Sequence, residues 1–314
     1  MSVLPAPSMQ LARSLPSVSL DELPALTAFQ LFTMQLESNS TEAAVDAMKR
    51  LSVVALAMGR DEVLAKLVPY LTPLANHQPD ELLLILGQEL PSVIQLVTNN
   101  YSPSHTNCVV DFLPLLERLA AVEETVVRDQ AVVVLQTICH YDPTNDATSS
   151  SSLETGPFVA MAKRLAGADW FTAKVSVCGM MPAILSLSTT MVPDTQVDPE
   201  SSSGSSSDPV VLLSSTLAAE LLPVYKELCT DDTPMVRRAA AKQLGAVLKQ
   251  AGWTPGADFA VATLPALVHD EQDSVRLLAV ATLAHTGRDF GKHPTWTVQH
   301  WLPLLKDGST DMSW

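Results

Sequence analysis

Apolar positions along the chain fall in short runs spaced i, i+3, i+4, and one type of run keeps returning. LVPYLTPL (67–74), FLPLLERLA (112–120), FVAMAKRLA (158–166), LLPVYKELC (221–229), TLPALVHD (263–270) and WLPLLKDG (301–308) each predict a helix with one buried face. A short polar turn follows each run, and then a second helical pattern. Four of these second helices open alike: TVVRDQAVVVL (125–135), FTAKVSVCGMM (171–181), PMVRRAAAKQL (234–244) and DSVRLLAVATL (273–283). Superposing their basic residues sets Arg128, Lys174, Arg237 and Arg276 in register, with gaps of 46, 63 and 39 residues.

A unit of about 40 residues made of two antiparallel helices is the size of a HEAT or armadillo repeat. The expected fold is therefore all-α, an α-α superhelix of helix pairs. Its units fall near 24–60, 61–101, 105–141, 156–193, 209–252 and 254–293, with a partial seventh over 294–314. The first 23 residues read as a flexible leader. The long gaps have a local cause in DPTNDATSSSSLETGP (142–157) and DTQVDPESSSGSSSDP (194–209). Such Ser-rich stretches bury no core, so 142–155 and 194–208 are predicted to be disordered insertions. WLPLLKDGSTDMSW holds a first helix and its turn but no second helix. The expectation is a fragment of a longer array, or an unusual end, because a solenoid needs a cap.

Composition narrows the class. Apolar residues are 47% and aromatics only 5%, so the core must be built from Leu, Val, Ala and Met, as in helix-on-helix packing. A net charge of −15 disfavours nucleic acid as the main partner. Cys108, Cys139, Cys178 and Cys229 lie far apart without CxxC spacing, and the histidines show no HxxxH or HExxH pairing. Neither a disulfide framework nor a metal site is expected, and no cofactor is implied. The uncharged stretch 175–193 contains Gly179, Pro182 and five Ser or Thr, so it reads as a buried helix and a loop, not a membrane span. Cysteine usage fits a reducing compartment, so the expected location is the cytoplasm, with the nucleus as a second.

At DDTPMVRRAAAKQL (231–244) the local physics is specific. Thr233 suits an N-cap and Pro234 the first helical position, while Asp231 and Asp232 complement the positive end of the helix dipole. Val236, Ala240, Leu244 and Val247 share one face and are predicted core. Arg237 then reads as one member of an acid–base ladder between neighbouring repeats, with Arg128, Lys174, Asp232 and Arg276. Arg238 breaks the pattern, since the matching positions hold Asp129, Val175 and Leu277. It is read either as a partner contact or as a solvated charge.

VEETVVRDQAV (122–132), KRLAGADWFT (163–172), CTDDTPMVRRAAAKQLG (229–245) and DEQDSVRLLAV (270–280) resemble successive repeats of the scaffold (A, 65-kDa regulatory) subunit of protein phosphatase 2A. MKRLSVVALAMG (48–59) with LVPYLTP (67–73) resembles that family's first repeat and the start of its second. The resemblance covers roughly 25–314, the N-terminal half of the family's array. It implies a non-enzymatic HEAT-repeat scaffold whose intra-repeat turns bind interchangeable B-type regulatory subunits. The family's last repeats hold the catalytic subunit, so that partner is expected only if further repeats are present. Carried onto this sequence, the partner contacts are Glu123, Glu124, Trp170, Phe171, Pro234, Met235, Arg238, Glu271, Asp273 and Trp314. Trp170 follows a polar turn and reads as an exposed anchor, aromatics there being typical hot spots; the alternatives are that the acids cap helices and that Trp170 or Phe171 belongs to the core. The first repeat has Ala44, and the second DELLLIL, where later repeats carry the basic residue, and Lys174 replaces arginine in the fourth.

Catalysis lacks support in the sequence. GxSxG, a P-loop and clustered His or Cys are all missing, and the adjacent pairs Asp231–Asp232 and Glu123–Glu124 diverge at helix starts. The competing non-enzymatic reading is a transport adaptor of karyopherin type, also an acidic helical-repeat protein.

Overall fold

The computed structural model describes residues 26–99, 103–140, 154–187, 209–290 and 294–309. The leader 1–23, the insertion 194–208, all but the last two residues of 142–155, and Trp314 lie outside the described residues. Among the described residues every regular element is helical, as expected. The chain divides near residue 138 into two compact units.

The first unit opens with α1 (Ala28–Leu36), α2 (Thr41–Met48) and α3 (Leu51–Met58). Thr27 and Gln30 form a reciprocal capping box at the start of α1. The expected second helix of the opening repeat is broken at Lys49 and Arg50. Arg50 Nε donates to the carbonyl of Asp46 (2.8 Å), while the Arg50 N–H turns to Ala47 (3.0 Å). The side chain thus takes the acceptor that a continuous helix would offer the backbone. Gly59, at φ +77°, ends α3, a conformation that costs a Cβ-bearing residue strain.

Next come α4 (Arg60–Glu62), a π-helical turn (Val63–Leu67) and α5 (Val68–Leu74). They are followed by α6 (Asp80–Asn99), a 3₁₀ stretch (Pro103–Phe112), α7 (Leu113–Ala121) and α8 (Thr125–His140). The π turn ends two residues before Pro69, and the 3₁₀ stretch two residues before Pro114. Proline lacks the N–H that would bond back to residue i−4 and its ring crowds that carbonyl, so the ladder shifts register just upstream. Tyr70 packs edge-on against Phe29 and Phe32 and donates its hydroxyl to Glu37 (3.2 Å). Between α6 and α8, Gln130 Nε2 donates to the carbonyl of Gly87 (3.3 Å). A Cβ on Gly87 would stand 2.8 Å from the Gln130 Cγ, so this approach needs glycine.

The second unit carries α9 (Gly156–Ala166), α10 (Phe171–Ser186), α11 (Pro209–Cys229), α12 (Pro234–Ala251), α13 (Trp253–Val268) and α14 (Asp273–Phe290). It finishes with α15 (Pro294–Trp296), a π-helical turn (Thr297–Trp301) and α16 (Leu302–Ser309). First helices α9, α11 and α13 pack on one another as one layer, and second helices α10, α12 and α14 as the other. The apolar stretch from Val175 lies inside α10, where Val177, Cys178, Met180, Met181 and Ile184 are buried. Its tail beyond residue 187 lies outside the described residues.

Four predicted core positions of α12, Val236, Ala240, Leu244 and Val247, are fully buried. Burying each large aliphatic side chain contributes about 1.5–3 kcal/mol. Tyr225 of α11 is also fully buried, and its hydroxyl donates to the carbonyl of Ala240 (2.7 Å), joining the two helices of one pair. Thr282 Oγ1 donates to the carbonyl of Ala241 (3.2 Å), joining α14 to α12. Trp301 Nε1 donates to Leu283 (3.1 Å), which fixes the last helices onto α14.

Candidate partner-binding ridge

The four second helices that look alike in sequence begin at Thr125, Phe171, Pro234 and Asp273. Their in-register arginines tie down the turns that precede them. Arg128 is buried and donates from Nη1 to the carbonyls of Val122 (2.8 Å) and Glu123, and from Nη2 to Thr125 Oγ1 (3.1 Å). Arg237 repeats this, donating from Nη1 to the carbonyls of Asp231 (2.8 Å) and Asp232 (3.2 Å). Arg276 Nη1 donates to the carbonyl of Asp270 (2.7 Å). Each guanidinium reaches back six residues to a carbonyl of the turn that follows the first helix, giving that turn a donor the helices do not supply.

Two of the basic residues also cross to the next repeat. Lys174 Nζ meets Asp231 Oδ2 (2.8 Å). Arg237 Nε and Nη2 form a fork on the Asp270 carboxylate (2.7 and 3.1 Å), and Nη2 also reaches Glu271 (3.0 Å). The acids in these rungs are therefore Asp231 and Asp270. Asp232, expected as the acid, meets Arg237 with its carbonyl oxygen instead. Sequence reading missed Asp270; its signal is the spacing, six residues before Arg276 as Asp231 stands six before Arg237.

The start of α12 also differs from expectation. Thr233 stands at the N-cap, but its side chain makes no capping hydrogen bond. Asp231 Oδ1 instead accepts the Thr233 N–H (2.8 Å), so the turn is closed by an aspartate two residues earlier. Burial alone would raise the Asp231 carboxyl. The hydrogen bonds from Lys174 and from the Thr233 N–H outweigh it and hold the group below its ordinary value.

With the turn bases fixed, the proposed contact residues project from them. Trp170 is 73% exposed, Phe171 37% and Met235 53%. Arg238 is exposed and Pro234 half-buried. Glu271 and Asp273 are exposed but already engaged, with Arg237 and Arg276 respectively. Within the second unit the rungs bring together the turns of Trp170–Phe171, Pro234–Arg238 and Glu271–Asp273. In the first unit Glu123 and Glu124 are exposed at the equivalent turn.

Among the described residues no group of His, Cys, Asp and Glu is placed to hold a metal ion. The cysteines are free and buried, and burial pushes the Cys139 and Cys229 thiols up to about 12. Such thiols remain protonated and unreactive at neutral pH.

Comparison with known proteins agrees with the geometry. Residues 221–251, which run from the C-terminal part of α11 through all of α12, match the family model for the HEAT repeat. The chain is 36% identical over 82% of its length to a probable serine/threonine-protein phosphatase PP2A regulatory subunit of Caenorhabditis elegans, covering 37% of that protein. It is 29% identical over 84% of its length to the A-type regulatory subunit of protein phosphatase PP2A from Saccharomyces cerevisiae, covering 36% of it. With the beta isoform of the human serine/threonine-protein phosphatase 2A 65 kDa regulatory subunit it shares 34% identity over 68% of the chain, covering 29% of that protein. The chain thus spans about a third of the length of the curated relatives it matches.

Proposed function

Given that the chain is akin, over most of its length, to the 65 kDa regulatory subunits of protein phosphatase 2A, we propose that it is a non-catalytic HEAT-repeat scaffold of that phosphatase. It binds B-type regulatory subunits through its intra-repeat turns. The supporting observation is the row of exposed Trp170, Phe171, Met235 and Arg238 on turns whose bases are immobilised by Lys174–Asp231 and Arg237–Asp270. An exposed indole on a rigid base costs little entropy to dock, and tryptophan and arginine dominate interface energetics. Helix pairs that contact only their neighbours let such a ridge adjust by small rotations to different partners.

The test is co-purification of the chain with a B-type regulatory subunit. W170A and R238E should each weaken capture at least about tenfold while leaving helicity unchanged, since both side chains face solvent. Normal capture by both variants would dismiss the ridge. Capture of transport cargo or a small GTPase in place of phosphatase subunits would point to an adaptor.

A further inference from the structure

Several cations of the second unit are held by acids, while those along α12 contrast with them. Lys163, Lys174, Arg237 and Arg276 each meet a carboxylate: Glu220, Asp231, Asp270 with Glu271, and Asp273. Arg238, Lys242 and Lys249 of α12 form no ion pair with a described residue. Arg238 and Lys242 stand on the outer side of the helix, and Lys249 lies in its last turn. With Met235 they stand at spacings of three, four and seven residues, which places them along one stripe of the helix.

Neither α12 nor its neighbour α10 contains an acidic residue, in a chain whose net charge is −15. On the other side of α12 lies α14, where Leu277 is 53% exposed at the register position that Arg238 holds in α12. Folding does not account for the stripe. Arg238 and Lys242 are like charges one turn apart, which opposes helix formation. Lys249, in the last turn, has an ordinary dipole rationale.

We propose that the outer face of α12, from Met235 through Arg238 and Lys242 to Lys249, receives an acidic segment of a partner protein. The segment's carboxylates meet the three cations, and its apolar side chains meet Met235 and Leu277. Charge complementarity selects this occupant, because the stripe offers unopposed positive charge bordered by apolar side chains. The contact extends beyond the turn ridge and rests on that reading only at Met235 and Arg238, which the two share.

Fluorescence anisotropy on the full chain tests it, with a fluorescein-labelled peptide of alternating glutamate and leucine as probe. Saturable binding is expected, weaker with rising salt and about tenfold weaker in K242E/K249E. Circular dichroism of that variant should match the parent. A peptide with glutamine in place of glutamate should not bind. The inference is overturned if both peptides bind alike, if K242E/K249E binds the acidic probe unchanged, or if a short DNA oligonucleotide binds as tightly. W170A separates the two readings: it should weaken capture of a regulatory subunit while leaving the acidic probe bound.

Discussion

Single side chains do two jobs in this molecule, and Arg237 shows how. Its Nη1 satisfies carbonyls of its own turn, while Nε and Nη2 grip Asp270 and Glu271 of the next repeat. Both Arg237 and Asp270 have largely buried side chains, so R237A leaves a buried carboxylate without its partner. Chemical denaturation should register a loss of about 3 kcal/mol. Thr263 presents the opposite case: it is 1% exposed, and its hydroxyl finds no hydrogen-bond partner among the described residues. T263V should therefore raise stability by about 1 kcal/mol, because it removes an unsatisfied buried hydroxyl at nearly constant volume. Asp231 supplies a pH dependence. Its folded value lies below its unfolded one, so the Lys174 rung contributes fully above the ordinary carboxylate range. That contribution fades as acid titrates the group through its lowered folded value. Melting curves should show D231N less stable than the parent at neutral pH, with the gap closing in acid.

Among the helices, periodicity carried most of the information. Thr125, Phe171, Pro234 and Asp273 begin their helices where the recurring pattern puts them, because polar turns and an apolar 3.6-residue stripe leave one solution. Interruptions were less legible. The break at Lys49–Arg50 depends on which donor wins the Asp46 carbonyl, and the π turn before Pro69 on how the backbone answers a missing N–H. Neither contest leaves a mark in hydrophobic spacing. The same holds at the site: the projection of Trp170 was readable from its place after GAD, but Asp231 in place of Thr233 as turn anchor was not. Side-chain geometry decides between two polar residues two positions apart. Gly252, at φ +78°, ends α12 where no Cβ is comfortable. G252A should cost about 1 kcal/mol, read as a lowered midpoint in thermal unfolding.

At the scale of the whole chain, contacts within each compact unit are local in sequence, each helix pair meeting its neighbours along the array. Damage should therefore stay local. In R237A, hydrogen exchange should accelerate in the helices joined by that residue, α11 to α14, and leave α1 to α3 unchanged. A globular core with one shared centre would loosen everywhere. This locality also suits the proposed role, since a scaffold that yields pair by pair can seat one partner without disturbing the site for another.

The buried cysteines acquire a use in this light. Cys108, Cys139, Cys178 and Cys229 are spread along the chain, each enclosed by packed helices and each with its thiol raised by burial. An alkylating reagent reaches such a sulfur only while its own surroundings gape. The four labelling rates, read by mass spectrometry with and without a bound partner, would be independent clocks for how often each stretch of the array breathes.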